Sequence, residues 1–123
     1  MKKQSQFLIL IVFALFMGGC KYDFILPDYV PPVPPGVSFT TQVAPIFSTG
    51  DKCTSCHKTG GTAPDLTAAN AYSQLVPNYV NTASPETSKI LTVPGSATHS
   101  WKGYTATETA TILAWITEGA KNN

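Results

Sequence analysis

Cys53, Cys56 and His57 stand in the order Cys53-Thr54-Ser55-Cys56-His57, a C-x-x-C-H pentapeptide. Two thiols at this spacing can add across the two vinyl groups on one edge of a porphyrin. The residue that follows then lies under the ring, where its imidazole can bind the iron as proximal ligand. The pattern reads as covalent attachment of one haem c. Other chemistries of cysteine fit less well. A structural zinc site wants four protein ligands, and beyond Cys20 the chain has two cysteines and two histidines at an unhelpful spacing. A thioredoxin-like pair wants a βαβ pattern around it, and none is present. A Cys53–Cys56 disulfide suits an oxidising compartment but leaves His57 without a reason.

The 123 residues that must position this motif suffice for one domain and not two. Charged residues make up 12%, all eight basic residues are lysines, and the net charge is +1, so neither nucleic acid nor an anionic membrane surface is indicated as a partner. Without arginine there is no bidentate phosphate clamp. The third cysteine, Cys20, has its own context. Met1-Lys2-Lys3 is a short positive start, Phe7 to Met17 is an apolar run of eleven residues, and Gly18-Gly19 precede the cysteine. This is a bacterial secretory signal too short to remain as a spanning helix, and its end resembles a lipobox in which Cys20 is acylated after removal of residues 1–19. An ordinary signal peptide cut elsewhere and an uncleaved N-terminal anchor are the alternatives. In each case the rest of the chain is exported, to the compartment where bacteria attach haem c. Lys21 in place of aspartate after the lipid cysteine points to the outer membrane, with the domain facing periplasm or cell surface.

Residues 20–36 form the expected tether. Lys21 to Gly36 carries five prolines, four of them in Pro31-Pro32-Val33-Pro34-Pro35. Proline fixes φ and favours extended polyproline II, a stiff spacer of about 3.1 Å per residue. Its aromatics, Tyr22, Phe24 and Tyr29, leave open a strap packed back on the domain.

The domain spans residues 37–123 and reads as all-α, with about four short helices and no sustained strand alternation. Ser38 caps a first helix carrying Phe39, Val43, Ile46 and Phe47 at spacings of three and four, with Pro45 expected to kink or shorten it and Gly50 to end it. A loop with Gly60-Gly61 follows the haem motif. Thr67 opens a second helix over about Ala68 to Val76, with Leu66, Tyr72 and Leu75 inward. Ser84-Pro85-Glu86 reads as a cap and first turn for a short helix with Ile90 and Leu91. Pro94-Gly95 breaks it before the loop from Ser96 to Tyr104. Thr105-Ala106-Thr107-Glu108 is a capping box for a last helix whose stripe is Ile112, Leu113, Trp115 and Ile116, with Gly119 as its stop. So small a core is marginal alone, and a covalently held haem would supply its centre.

From about Phe39 to Lys121 the chain resembles the small monohaem class I cytochromes c. Three segments carry the resemblance: Val43-Ala44-Pro45-Ile46-Phe47 leading into the pentapeptide, Gly60-Gly61-Thr62-Ala63-Pro64-Asp65-Leu66, and Ile112-Leu113-Ala114-Trp115-Ile116-Thr117-Glu118-Gly119-Ala120. It implies a cytochrome c-like fold in which the first and last helices cross beside the haem, Val43 and Phe47 packing against Leu113 and Ile116. It also implies that the Pro64 carbonyl meets the ring nitrogen of His57 that does not bind iron. One departure matters. The family draws its sixth ligand, a methionine, from the loop before the last helix, whereas Met1 and Met17 both lie in the signal segment. His99, the remaining histidine, stands in the corresponding loop, and neutral imidazole binds haem iron well. Lys102, Tyr104 and an open position are its competitors.

One-electron transfer between partner proteins at or near the membrane is the expected function. Haem-based binding or sensing of a small ligand, with the sixth position open or weakly held, is the alternative. A peroxidase-like enzyme is disfavoured, since the only spare histidine is itself the candidate ligand.

Overall fold

Ser38 starts the first helix as its sequence suggests, its hydroxyl accepting from the Thr41 amide at 3.3 Å. The helix, α1, begins as a π-turn over Phe39–Val43 and tightens into an α-turn over Ala44–Ser48. Pro45 sits at the start of that α-turn, where its missing N–H matters least. The expected proline kink is thus a change of pitch. Three further α-helices follow: α2 (Ala71–Leu75), α3 (Lys89–Thr92) and α4 (Ala106–Thr117), with 3-10 turns at Thr49–Asp51 and Pro85–Thr87. The computed structural model describes residues 29–76 and 78–123, and among these there are helices and turns but no strand. The expected signal peptide, Cys20, and the tether's first residues with Tyr22 and Phe24 lie outside the described residues.

Two elements are shorter than their sequences suggest. Asp65 binds the Thr67 amide and hydroxyl at 2.9 and 2.6 Å, which holds residues 67–70 as a turn and delays α2 until Ala71. The helix expected from Ser84 breaks at Ser88, whose buried hydroxyl accepts from the Asn81 amide at 2.9 Å. Ser84 makes no side-chain cap; Asn81 Oδ1 takes the amides of Ala83 and Ser84 instead, as asparagine does in turns. By contrast the capping box of α4 forms in full, Thr105 Oγ1 accepting from Glu108 N at 3.2 Å and Glu108 Oε2 from Thr105 N at 2.8 Å.

Helix α4 contacts the π-turn of α1, α3 and the Pro85–Thr87 turn, and its Ile112, Trp115 and Ile116 are buried with Val43, Phe47, Leu75 and Ile90 in one core. Leu113, expected to face α1, is half-exposed and outside that core; it lies about 100° around the helix from Ile112. Aromatics from three helices meet at the other end: Phe39 lies 5.3 Å from Tyr72 and 5.0 Å from Trp115, ring centre to ring centre. Such pairs add about 0.5–1.5 kcal/mol each beyond area burial.

The two ends of the described domain are joined. Glu118 accepts from the amides of Gly36 and Val37, both at 2.9 Å. The Asn123 side chain takes the Phe39 amide and its backbone carbonyl takes Thr40, both at 2.9 Å, so the open N-terminus of α1 is capped from the far end of the sequence. Val33 packs on the core, so the last residues of the proline-rich segment act as a strap.

Candidate functional site

The C-x-x-C-H segment is fixed to the end of α1. Gly50 and Asp51 take positive φ there, and the Phe47 carbonyl accepts from the amides of Cys53 and Thr54 at 2.9 and 3.3 Å. Cys53 then closes a turn of its own, its carbonyl accepting from Cys56 at 3.1 Å and His57 at 2.9 Å. The loop after it folds back: Thr62 N–H binds the Cys56 carbonyl at 2.9 Å, and Leu66 N–H binds that of His57 at 2.9 Å. Gly61 makes this return possible, because a Cβ there would run into the Cys56 carbonyl oxygen.

The fold-back puts two carbonyls on one nitrogen. His57 Nδ1 lies 3.1 Å from the oxygens of both Thr62 and Pro64. Carbonyls only accept, so Nδ1 carries the proton and the lone pair resides on Nε2, the tautomer suited to ligation. Asp65 anchors the same loop through Thr59, Thr67 and Asn70 at 2.6–2.9 Å. These bonds, Thr59's foremost, hold its carboxyl well below the usual range.

His99 comes to the same place from the other side of the sequence. Its ring centre lies 6.0 Å from that of His57, with planes 25° apart. Two imidazoles bound end-on from opposite sides of one ion through bonds of about 2 Å have ring centres roughly 6 Å apart. Thr98 Oγ1 is 3.3 Å from His99 Nδ1, an arrangement that favours the same tautomer when the hydroxyl accepts. Among the described residues no three of His, Cys, Asp or Glu converge as a metal-ion group, so the two cysteines and two histidines do not form a zinc-type cluster.

Between the histidines and the cysteines runs a cleft of about 860 Å³, counted out to bulk solvent. Its walls are largely apolar, with Pro64, Leu66, Tyr79, Ile90, Trp101 and Tyr104 among them, and Lys52, Lys89 and Lys102 also border it. Lys52 is bound to both Glu108 oxygens at 2.7 Å, which ties the residue before Cys53 to the first turn of α4. Burial alone would raise the Glu108 carboxyl, but the bond from Lys52 and the Thr105 amide hold it low.

Cys53 and Cys56 are not joined by a disulfide. Burial pushes Cys53 up against the pull of Lys52 and Lys102, unlike the lowered thiol of a redox-active pair. Tyr104 has the one buried side-chain polar atom, among the described residues, that lacks a hydrogen-bond partner. Burial pushes its hydroxyl far upward, so it remains a protonated donor at the cleft wall. Sequence reasoning raised Tyr104 only as a competing ligand; its setting between Cys53 and Glu108 depends on packing that no local pattern encodes.

Compared with known protein families, characterised proteins and solved structures, the chain shows no match.

Proposed function

We propose that the chain is a membrane-anchored carrier of single electrons, built as a c-type cytochrome around one haem held by Cys53 and Cys56. His57 and His99 would supply the axial ligands. The observation that carries this reading is the 6.0 Å spacing of two near-parallel imidazoles beside a C-x-x-C-H segment. The haem supplies reversible one-electron chemistry. The chain's own residues do the rest. Thr62 and Pro64 orient His57 and make it a stronger donor through Nδ1–H. Leu66, Ile90 and Tyr79 offer the apolar wall a porphyrin face requires, and the orphaned Tyr104 hydroxyl offers a donor to a polar edge of the bound group.

If His57 and His99 both hold the iron, the chain would leave no position for a substrate, and the reading is of a carrier and not an enzyme. Acylation at Cys20 would keep it beside redox partners at the membrane, with the strap at Val33 to Val37 joining tether to domain.

The test is a spectrum of the full-length protein, oxidised and reduced, with haem staining after denaturing electrophoresis. The stain should survive denaturation in the wild type and vanish when Cys53 and Cys56 are both serine. His99→Ala should convert a six-coordinate low-spin haem to a high-spin one. Haem released freely from the denatured wild type would overturn attachment, and an unchanged spectrum in His99→Ala would overturn the ligand assignment.

A further inference from the structure

The loop that carries His99 has little to hold it in place. None of residues 95–103 is buried. Its backbone hydrogen bonds are local: Ser96 N–H to Val93, His99 N–H to Ser96, Gly95 N–H to the His99 carbonyl at 3.1 Å and Lys102 N–H to the same carbonyl at 2.9 Å. Its side-chain bonds, Ser96 to Thr98 and Thr98 to His99, are local too. His57 differs, with Nδ1 held by two backbone carbonyls of a loop anchored at Asp65. The two candidate ligands are thus unequally secured.

Trp101 is the large side chain that packs on the weaker one. Its ring lies 6.4 Å from that of His99 with the planes 21° apart, and it lines the same cleft. It is no part of the protein core, and the aromatic ring it meets is that of His99. We infer that Trp101 is a positioning residue for His99: its indole limits the imidazole's swing and so sets how often the sixth position opens to a small exogenous ligand. This rests on the assignment of His99 as axial ligand. An aromatic contact at this separation changes such an opening equilibrium by about two- to tenfold.

The experiment uses full-length, haem-loaded protein as wild type, His99→Ala, Trp101→Ala and Trp101→Phe. Carbon monoxide binding to the reduced protein is followed at low concentration, where its rate is proportional to the fraction with His99 detached. Trp101→Ala should bind about two- to tenfold faster than wild type, with Trp101→Phe in between, since a smaller ring keeps part of the stack. A rate in Trp101→Ala within roughly 1.5-fold of wild type overturns the inference, because the stack is then without effect. Equal acceleration in the alanine and phenylalanine variants also overturns it. If the wild type holds no haem, or His99→Ala leaves its spectrum unchanged, the ligand reading falls and the inference with it. A six-coordinate wild type and a high-spin His99→Ala beside an unaltered Trp101→Ala remove the inference alone.

Discussion

Replacing Gly61 by alanine should damage stability and the His57 site together. Gly61 needs no special φ; it needs space, since its Cβ would overlap the Cys56 carbonyl and press on that of Lys58 at 3.1 Å. Relief of the overlap must move the loop outward. The bonds at risk are Gly61 N–H to Lys58 at 2.8 Å and Thr62 N–H to Cys56 at 2.9 Å. At about 0.5–1.5 kcal/mol each, their loss amounts to about 1–3 kcal/mol. With an m-value of about 1–3 kcal/mol/M in urea, the unfolding midpoint should fall by roughly 1 M. The same displacement carries the Thr62 and Pro64 carbonyls away from Nδ1 and, on the proposed haem reading, would leave His57 a poorer donor to oxidised iron. A tenfold selective loss for the oxidised state corresponds to about 59 mV, so the reduction potential should rise by tens of millivolts. Gly60→Ala is the control. Gly60 has φ +76° and open space around its Cβ position, so the change costs about 1–2 kcal/mol of backbone strain but leaves the carbonyl pair in place. A Gly61→Ala protein with the wild-type midpoint would refute the steric reasoning. A potential moved equally by both variants would refute the link from Gly61 to His57.

Asp65 sets an acid limit. Its folded carboxyl is held below the unfolded value of about 3.9, so its contribution is full above that value and fades as pH falls through the lower folded one. Asp65→Asn should be less stable than wild type at pH 7 and lose less stability on acidification below about pH 4 in urea titrations; parallel pH profiles would contradict this. Glu118→Ala removes the acceptor for the Gly36 and Val37 amides, one of them exposed, and should cost about 1 kcal/mol or a Tm fall of about 4–8 °C. It should also speed proteolysis near residue 36, and an unchanged cleavage rate would show that the strap is held by other contacts.

What could be read from the sequence is what local chemistry dictates. Ser38, the Thr105–Glu108 box and the Ile112/Trp115/Ile116 stripe act over three or four residues, and the structure places them where those spacings put them. The Cys53-Thr54-Ser55-Cys56-His57 segment is equally local, five consecutive letters whose proposed attachment chemistry is what the haem stain tests. Long-range polar pairings were not legible. Glu118 reads as one more charge near a helix end, and nothing local assigns it to amides 81 and 82 residues earlier. Asn123 as the cap of α1, and Ser88 as the buried hydroxyl that splits the third helix, likewise depend on which backbone groups tertiary packing leaves open. Leu113 reads as inward because a four-residue stripe looks continuous in sequence, whereas a helix surface presents only part of it to one neighbour.

The pairing of residues 36–40 with 118–123 makes the domain a closed ring in space. Where such a ring is cut is a matter of covalent order and not of packing. A short linker from Asn123 to Val37 would close it, and the exposed stretch from Asn81 to Ser84 offers a place to reopen it. In the permuted order the segment with α3 and α4 would precede the C-x-x-C-H motif and α1. The clasp that ends the strap is therefore also the joint at which the domain could be inserted into a loop of another protein, entering and leaving at one point.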